Sequence, residues 1–134
     1  MEIELFVGFL SFFFTAIVLV IVFLYLYAIV TPYDDYKLIF QENNLAAALG
    51  FGGAIIGVSI PLYSVLVHSV SYIDFAIWGA IAIVIQLIFA LIVTRLSGKY
   101  SFEKEISNGA IPVGTLMAFL SISIGLLNAG SMSY

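Results

Sequence analysis

The chain has 134 residues, of which 63% are hydrophobic and 9% are charged, and its mean hydropathy is +1.21. A soluble domain of this length cannot hide so much apolar surface in one core, so the composition indicates an integral membrane protein. The net charge of −4 includes no basic tract that could hold nucleic acid, and the absence of cysteine excludes disulfides and thiolate metal sites.

Four apolar runs are long enough to cross a bilayer, which requires roughly 20 residues per helix. They span about 5–30, 45–67, 75–94 and 110–129, and short polar loops connect them. The first run has no basic segment before it and no small-residue cleavage site after it, so it is expected to be a retained span and not a signal peptide. The predicted fold class is therefore an all-α integral membrane protein with four transmembrane helices.

The basic residues predict the orientation of the chain in the membrane. All of them lie in or beside the first and third loops: Lys37, Arg95, Lys99 and Lys104. Cytoplasmic loops carry an excess of Lys and Arg, so these two loops are expected in the cytoplasm and both termini outside.

An internal repeat appears when the sequence is compared with itself at an offset of 64 (108 minus 44). Aliphatic matches are expected by chance in such a composition, but polar and glycine matches are not. The offset pairs Tyr36 with Tyr100, Asn44 with Asn108, Gly50 with Gly114 and Ser59 with Ser123. These matches predict two helical hairpins, residues 1–67 and 68–134. Each hairpin returns the chain to its starting side, so the two form a parallel repeat.

Small residues recur at spacings of three and four in the second and fourth spans, which places them on one face of each helix. In lipid, close backbone approach through small residues is a main source of helix association. Packing within one protomer and packing between copies are both open. The predicted packing or oligomer face consists of Ala46, Gly50, Gly53, Gly57 and Pro61, together with Ala110, Gly114, Ala118 and Gly125.

A few polar residues lie within the apolar runs. Gln86 is near the middle of the third span and Asn128 is in the last turn of the fourth, and hydrocarbon cannot satisfy either amide. Each amide is expected to form a hydrogen bond with a neighbouring helix or to line a polar path. Ser59 and Ser123 are further candidates for lining such a path.

Three residues are predicted to cap helices because they directly precede the first apolar turn of a span: Asn44, Asp74 and Asn108. Pro61 and Pro112 are placed inside spans, where a proline kinks a helix. The single histidine, His68, has no second ligand nearby, so no metal site is expected. No catalytic triad, HExxH motif or phosphate-binding loop occurs, so the sequence predicts neither an enzyme nor a cofactor.

Three stretches resemble the bacterial YjfL-like family of small membrane proteins: "NNLAAALGFGGAIIGVSIPL", "IWGAIAIVIQLIFALIVTRL" and "ISNGAIPVGTLMAFLSISIGLLNAGSMSY". The resemblance covers spans two to four closely, and Asn43 and Pro112 depart from the family pattern. It implies a duplicated two-helix domain, a location in the bacterial cytoplasmic membrane, and an association with envelope stress without an assigned mechanism.

The favoured hypothesis is a non-enzymatic scaffold that oligomerises through the small-residue faces and supports envelope or membrane maintenance. The alternative is a homo-oligomeric pore or small transporter whose path is lined by polar residues of spans two to four. A third hypothesis is lipid binding, although nothing in the sequence selects a head group. The expected partners are the lipid bilayer, further copies of the chain and other membrane proteins.

Overall fold

The computed structural model describes residues 2–96 and 99–132, and every regular element in these ranges is a helix. Four of the helices are long and apolar enough to cross a membrane, which confirms the all-α membrane fold class. Their ends agree with the predicted spans to within three residues. In chain order the helices are α1 (Glu2–Val30), α2 (Asp35–Phe40), α3 (Leu45–His68), α4 (Tyr72–Thr94), α5 (Phe102–Ser107) and α6 (Ile111–Ser131).

The short helices α2 and α5 lie in the two loops that carry the basic residues. Each begins at a side-chain cap, because the Asp34 carboxylate accepts a hydrogen bond from Lys37 N and the Ser101 hydroxyl accepts one from Lys104 N. Each buries one aliphatic side chain, Leu38 or Ile106, against the bundle. Since α1 and α4 run in the same direction, both short helices lie at one end of the molecule, which we call the α2/α5 end.

The centre of the bundle is the contact between α3 and α6, which is the most extensive between any two helices described. The two helices run parallel: Ala46 faces Gly114 near their starts, and Gly57 faces Ser121 and Gly125 further along. This parallel course is what two hairpins of equal orientation require. The internal repeat itself stays a prediction. Its predicted ends at residues 1, 133 and 134 lie outside the described residues.

Helix α1 lies on the outside of the bundle. It packs against α3 and α4, and among its residues only Phe23 and Tyr27 are buried. These two rings join Val58, Leu62 and Phe75 in the main apolar core. The rest of α1 presents Phe, Val, Ile and Leu on the outer surface of the bundle.

The start of α4 corrects the predicted cap at Asp74. The helix begins one turn earlier, at Tyr72, because the Ser71 hydroxyl accepts a hydrogen bond from Asp74 N at 3.1 Å. The Asp74 carboxylate reaches back and accepts from Val70 N at 3.2 Å. Ser71 and Asp74 thus form a variant of the capping box, in which Asp74 occupies the third helical position and not the cap.

The start of α6 corrects the predicted cap at Asn108 and the predicted position of Pro112 inside the span. Asn108 is the C-cap of α5 and does not cap α6. The chain then turns at Gly109, whose φ of +82° is a left-handed conformation that glycine adopts without strain. Ala110 is the N-cap of α6, so it precedes the helix and does not belong to the span. Pro112 lies in the first turn of α6 and not in its interior; backbone N–H groups there have no intrahelical partner, so a proline, which lacks the N–H, does not kink the helix.

Asn44, in contrast, caps α3. Its Oδ1 accepts a hydrogen bond from Ala47 N at 3.0 Å, and its Nδ2 donates to the Ile106 carbonyl at 2.8 Å. One side chain thus closes the start of α3 and ties it to the end of α5. The preceding residue, Asn43, has φ +51°, a left-handed conformation that asparagine tolerates.

Candidate functional site

The small residues of α3 and α6 bring the two backbones into direct contact. A Cβ added to Gly53 would fall on the backbone of Ala118, and one added to Gly114 would fall on that of Ala46. A Cβ added to Gly57 would lie 2.5 Å from the Ser121 carbonyl oxygen. The backbone itself forms the contact surface at these positions, so any side chain larger than hydrogen would push the helices apart.

The predicted small-residue face is therefore occupied within one protomer. Gly50 meets the Met117 side chain at ordinary van der Waals distance, and Pro61 is fully buried in α3. Gly125 faces the Gly57 backbone, while Ala110 lies half-buried ahead of α6. Contact with a second copy would need a different surface.

Two intramembrane amides meet in the bundle interior. The Asn128 Nδ2 donates to Gln86 Oε1 and to the Ala82 carbonyl, both at 3.2 Å. The Gln86 Nε2 donates to the Ser121 carbonyl at 3.4 Å, beside Gly57. Gln86 and Asn128 are 3% and 5% exposed. They form a closed amide cluster between α4 and α6, in which Asn128 Oδ1 is buried without a hydrogen-bond partner among the described residues.

The two serines predicted beside these amides lie elsewhere. Ser59 is exposed and donates its hydroxyl to the Ile55 carbonyl at 2.7 Å, on the edge of an apolar groove between α1 and α3. Ser123 is exposed on the outside of α6. Neither serine adjoins the amide cluster, so the four polar residues do not line one path within the protomer.

A second polar cluster lies at the α2/α5 end, where α1 ends. The Thr31 Oγ1 lies 2.5 Å from Asp35 Oδ2, 3.1 Å from the Tyr27 carbonyl and 3.3 Å from the Tyr33 carbonyl. Asp35 is 1% exposed and Thr31 is 5% exposed. We call Tyr27, Thr31, Tyr33 and Asp35 the oxygen cluster.

Burial dominates the electrostatics of the oxygen cluster. Desolvation raises the pKa of Asp35 to about 6, against the lowering effect of the Thr31 hydrogen bond, and the charge of Asp34 adds to the rise. Desolvation and the nearby Asp35 carboxylate also raise the pKa of Tyr33 well above its ordinary value, so this phenol stays neutral. Asp35 Oδ1 has no hydrogen-bond partner among the described residues, whereas the Tyr27 and Tyr33 hydroxyls act on each other.

Aromatic rings and one guanidinium surround the oxygen cluster. The Tyr27 and Phe51 rings meet edge to face with their centroids 5.7 Å apart, and Tyr36 packs on the other side of Phe51 at 5.5 Å. Arg95, at the end of α4, donates from Nε and Nη2 to the Val30 carbonyl at 3.2 and 2.8 Å. The guanidinium thus caps the end of α1 beside Thr31.

Sequence reasoning missed the oxygen cluster because it treated residues 31–44 as a solvated loop. One signal was present: Thr31 and Asp35 are four residues apart, directly after an apolar span, in the stretch "TPYDDY". A hydroxyl and a carboxylate at that spacing can face each other across one turn. No group of three or more His, Cys, Asp or Glu side chains that could together hold a metal ion occurs in residues 2–96 and 99–132.

Comparison with known proteins places the chain in a family. The profile described as Domain of Unknown Function (DUF350) matches residues 1–132. The chain belongs to the DUF350 family. The chain is similar to the UPF0719 inner membrane protein YjfL of Escherichia coli (strain K12), with 38% identity over 128 residues, which cover 95% of this chain and 94% of that protein.

A more distant relative of the chain comes from another bacterium. The UPF0719 transmembrane protein YshE of Bacillus subtilis (strain 168) is 28% identical over 118 residues, which cover 87% of each chain. No solved structure matches the chain. The YjfL-like resemblance is confirmed, and the chain is a multi-pass membrane protein of a family whose description assigns no activity.

Proposed function

We propose that this DUF350 protein is a non-enzymatic scaffold of the bacterial inner membrane that self-associates and serves membrane or envelope maintenance. The inner membrane is the location in the name of its Escherichia coli relative. The observation that carries the proposal is the filling of the bundle interior by direct backbone contact and a closed amide cluster. An interior packed in this way leaves the outer surface as the place where contacts with other molecules form.

Helix α1 offers the surface for a second copy. The small-residue faces of α3 and α6 already contact each other, whereas the most apolar stretch of α1 has no buried residue. The Phe9 and Phe13 rings stack on this surface with their centroids 5.6 Å apart. Flat aromatic rings supply large contact areas between helices, so this part of α1 suits packing against the same helix of another copy.

Cross-linking tests the self-association directly, because the native sequence contains no cysteine. Phe13→Cys places a thiol on the exposed surface of α1, and Phe119→Cys places one on the exposed surface of α6 as the matched control. We expect oxidised membranes to give a covalent dimer for Phe13→Cys only, and native mass spectrometry in lipid nanodiscs to give a multiple of the chain mass. A single-chain mass with no cross-link at either position would refute the scaffold.

The second candidate is a conduit, which the amide cluster favours. Asn128 Oδ1 is buried without a hydrogen-bond partner among the described residues, and polar residues within membrane spans often line paths for ions or polar solutes. The tight packing around Gln86 counts against this candidate, since a path would need the helices to separate.

Flux measurements distinguish the two functions. Liposomes that contain the wild-type chain and a potassium-sensitive dye would show potassium entry if the conduit operates, and Gln86→Leu would reduce it. Entry equal to that of protein-free liposomes would refute a potassium conduit and leave the scaffold as it stands.

A further inference from the structure

The oxygen cluster contains more hydrogen-bond acceptors than protons. Thr31 Oγ1 has a single hydrogen, yet Asp35 Oδ2, the Tyr27 carbonyl and the Tyr33 carbonyl all lie within 3.3 Å of it. The Tyr27 carbonyl oxygen also accepts a hydrogen bond from the Thr31 backbone N–H at 3.0 Å, so it does not depend on the Thr31 hydroxyl proton. At least one of the remaining contacts therefore brings lone pairs together without a proton between them.

The Asp35 carboxylate also makes no ion pair among the described residues. The side chain is 1% exposed and Oδ1 has no hydrogen-bond partner among the described residues. Among the basic side chains of the neighbouring elements, Arg95 on α4 donates to the Val30 carbonyl, and Lys37 lies on α2 two residues after Asp35. The other ionisable groups that act on the cluster, Asp34 and Glu103, are acidic. A buried carboxylate without an ion pair is costly, so a cation bound directly to Asp35 would stabilise the site.

We propose that the oxygen cluster binds one dehydrated monovalent cation, with Na⁺ as the ion to test. Carboxylate, hydroxyl and carbonyl oxygens are the ligands that hard cations prefer. A single positive charge neutralises the single carboxylate, whereas a divalent ion would leave a buried net charge of +1. The Asp35 carboxylate and the Thr31 hydroxyl are the side-chain ligands, and the Tyr27 and Tyr33 carbonyls complete the group. The proposal is independent of the scaffold and of the conduit.

A proton competes with the cation for Asp35. Because the pKa of Asp35 is about 6, the carboxylate is mostly ionised at pH 7.5 and mostly protonated at pH 5. Competition of this kind weakens the apparent affinity for the cation by about tenfold at pH 5 relative to pH 7.5. The pH dependence separates binding at Asp35 from binding at an ordinary surface carboxylate, which would ionise well below pH 5.

The experiment is equilibrium binding of ²²Na⁺ to the full chain in detergent, with choline chloride holding the ionic strength constant. The key variant is Asp35→Asn, and its matched control is Asp34→Asn, which removes the same charge from the neighbouring exposed residue and keeps a side chain that can cap α2. We expect saturable binding of one ion per chain in wild type and in Asp34→Asn, and at least about tenfold weaker binding in Asp35→Asn, which loses the charged ligand.

A second pair of variants keeps the proposal testable if Asp35→Asn does not fold. Thr31→Ser retains the hydroxyl ligand, whereas Thr31→Val has a similar shape and lacks it. We expect Thr31→Ser to bind ²²Na⁺ like wild type and Thr31→Val to bind it more weakly. Absence of saturable binding to the wild-type chain, or equal binding by Asp35→Asn and wild type, would overturn the proposal.

Discussion

The contact between α3 and α6 should be intolerant of a single methyl group at Gly125. A Cβ at this position would fall on the Gly57 carbonyl oxygen and would lie 2.9 Å from the Gly57 carbonyl carbon and 3.0 Å from its Cα. Ordinary van der Waals contacts of a Cβ begin near 3.4 Å. Gly125→Ala therefore forces two backbones apart, because neither side has a flexible side chain that can move.

The cost follows from the geometry. A separation of about 0.5–1 Å forfeits a quarter to a half of the attraction of each contacting atom pair along the crossing. Overpacking of a well-packed interior by one methyl group typically costs about 1–3 kcal/mol. We expect Gly125→Ala to fall at the upper end of that range, since in lipid the loss of close packing has no hydrophobic gain to offset it.

Two glycines on the same helices provide matched controls. Gly52 on α3 and Gly130 on α6 have nothing within 4 Å of an added Cβ, so alanine fits at both. Alanine also favours a helix interior over glycine by about 0.5–1 kcal/mol. Gly52→Ala and Gly130→Ala should therefore be neutral or stabilising.

The assay is unfolding in a titration from mild detergent into SDS, followed by circular dichroism and by the fluorescence of Trp78. Gly125→Ala should unfold at a lower SDS fraction than wild type, and both controls should unfold at the same or a higher fraction. Equal midpoints for Gly125→Ala and the controls would refute the direct backbone contact between α3 and α6.

Three further predictions concern the polar residues. Burial raises the pKa of Asp35 from 3.8 to about 6, so the folded state holds a proton more tightly than the unfolded state between these values; in sodium-free buffer the free energy of unfolding should fall by about 3 kcal/mol as the pH rises through this window, and thermal melts of Asp35→Asn should lack this slope. Asn44→Ala removes both the cap of α3 and the bond to Ile106, and should lower the free energy of unfolding in the SDS titration by about 1–3 kcal/mol. Gln86→Leu and Asn128→Leu should each destabilise the bundle by about 0.5–2 kcal/mol, and the double variant should lose less than the sum, as a double-mutant cycle would measure.

Each of these predictions has a contrary outcome. The same pH slope in wild type and Asp35→Asn would mean that another group titrates. Asn108→Ala is the control for Asn44→Ala, because Asn108 is exposed and its side chain bonds to no other helix among the described residues. Equal losses in the two variants would contradict the bridging role of Asn44. Strict additivity of Gln86→Leu and Asn128→Leu would show that the two amides do not interact.

The spans could be predicted closely because their length is fixed by the bilayer and not by neighbouring residues. Helix starts were less predictable, since caps depend on local competition. At α4 the predicted cap was Asp74, whereas Ser71 caps the helix and the Asp74 carboxylate accepts a hydrogen bond from Val70 N. At α6, Gly109 turned the chain after Asn108 had already closed α5.

The oxygen cluster could not be predicted from composition or periodicity. Asp35 is buried because a six-residue helix, α2, packs against α3, and helices this short give no periodic signal. The amide cluster was easier to anticipate, since Gln86 and Asn128 stand alone in apolar runs and must find partners. The crossing of α4 and α6 determines the hydrogen-bond partners of Gln86 and Asn128, and this crossing is a tertiary property that the sequence pattern does not show.

The separation of α3 and α6 along the chain has a consequence for biosynthesis. Helix α3 ends at His68 and α6 ends at Ser131, so 63 residues (131 minus 68) are translated between them. At ordinary elongation rates of about 5–20 residues per second, this takes about 3–13 s. For that interval the glycine face of α3 is inserted in the bilayer without the helix it will contact, and any other nascent span with small residues can meet it first. Fidelity of assembly therefore depends on how quickly the ribosome delivers α6 after α3.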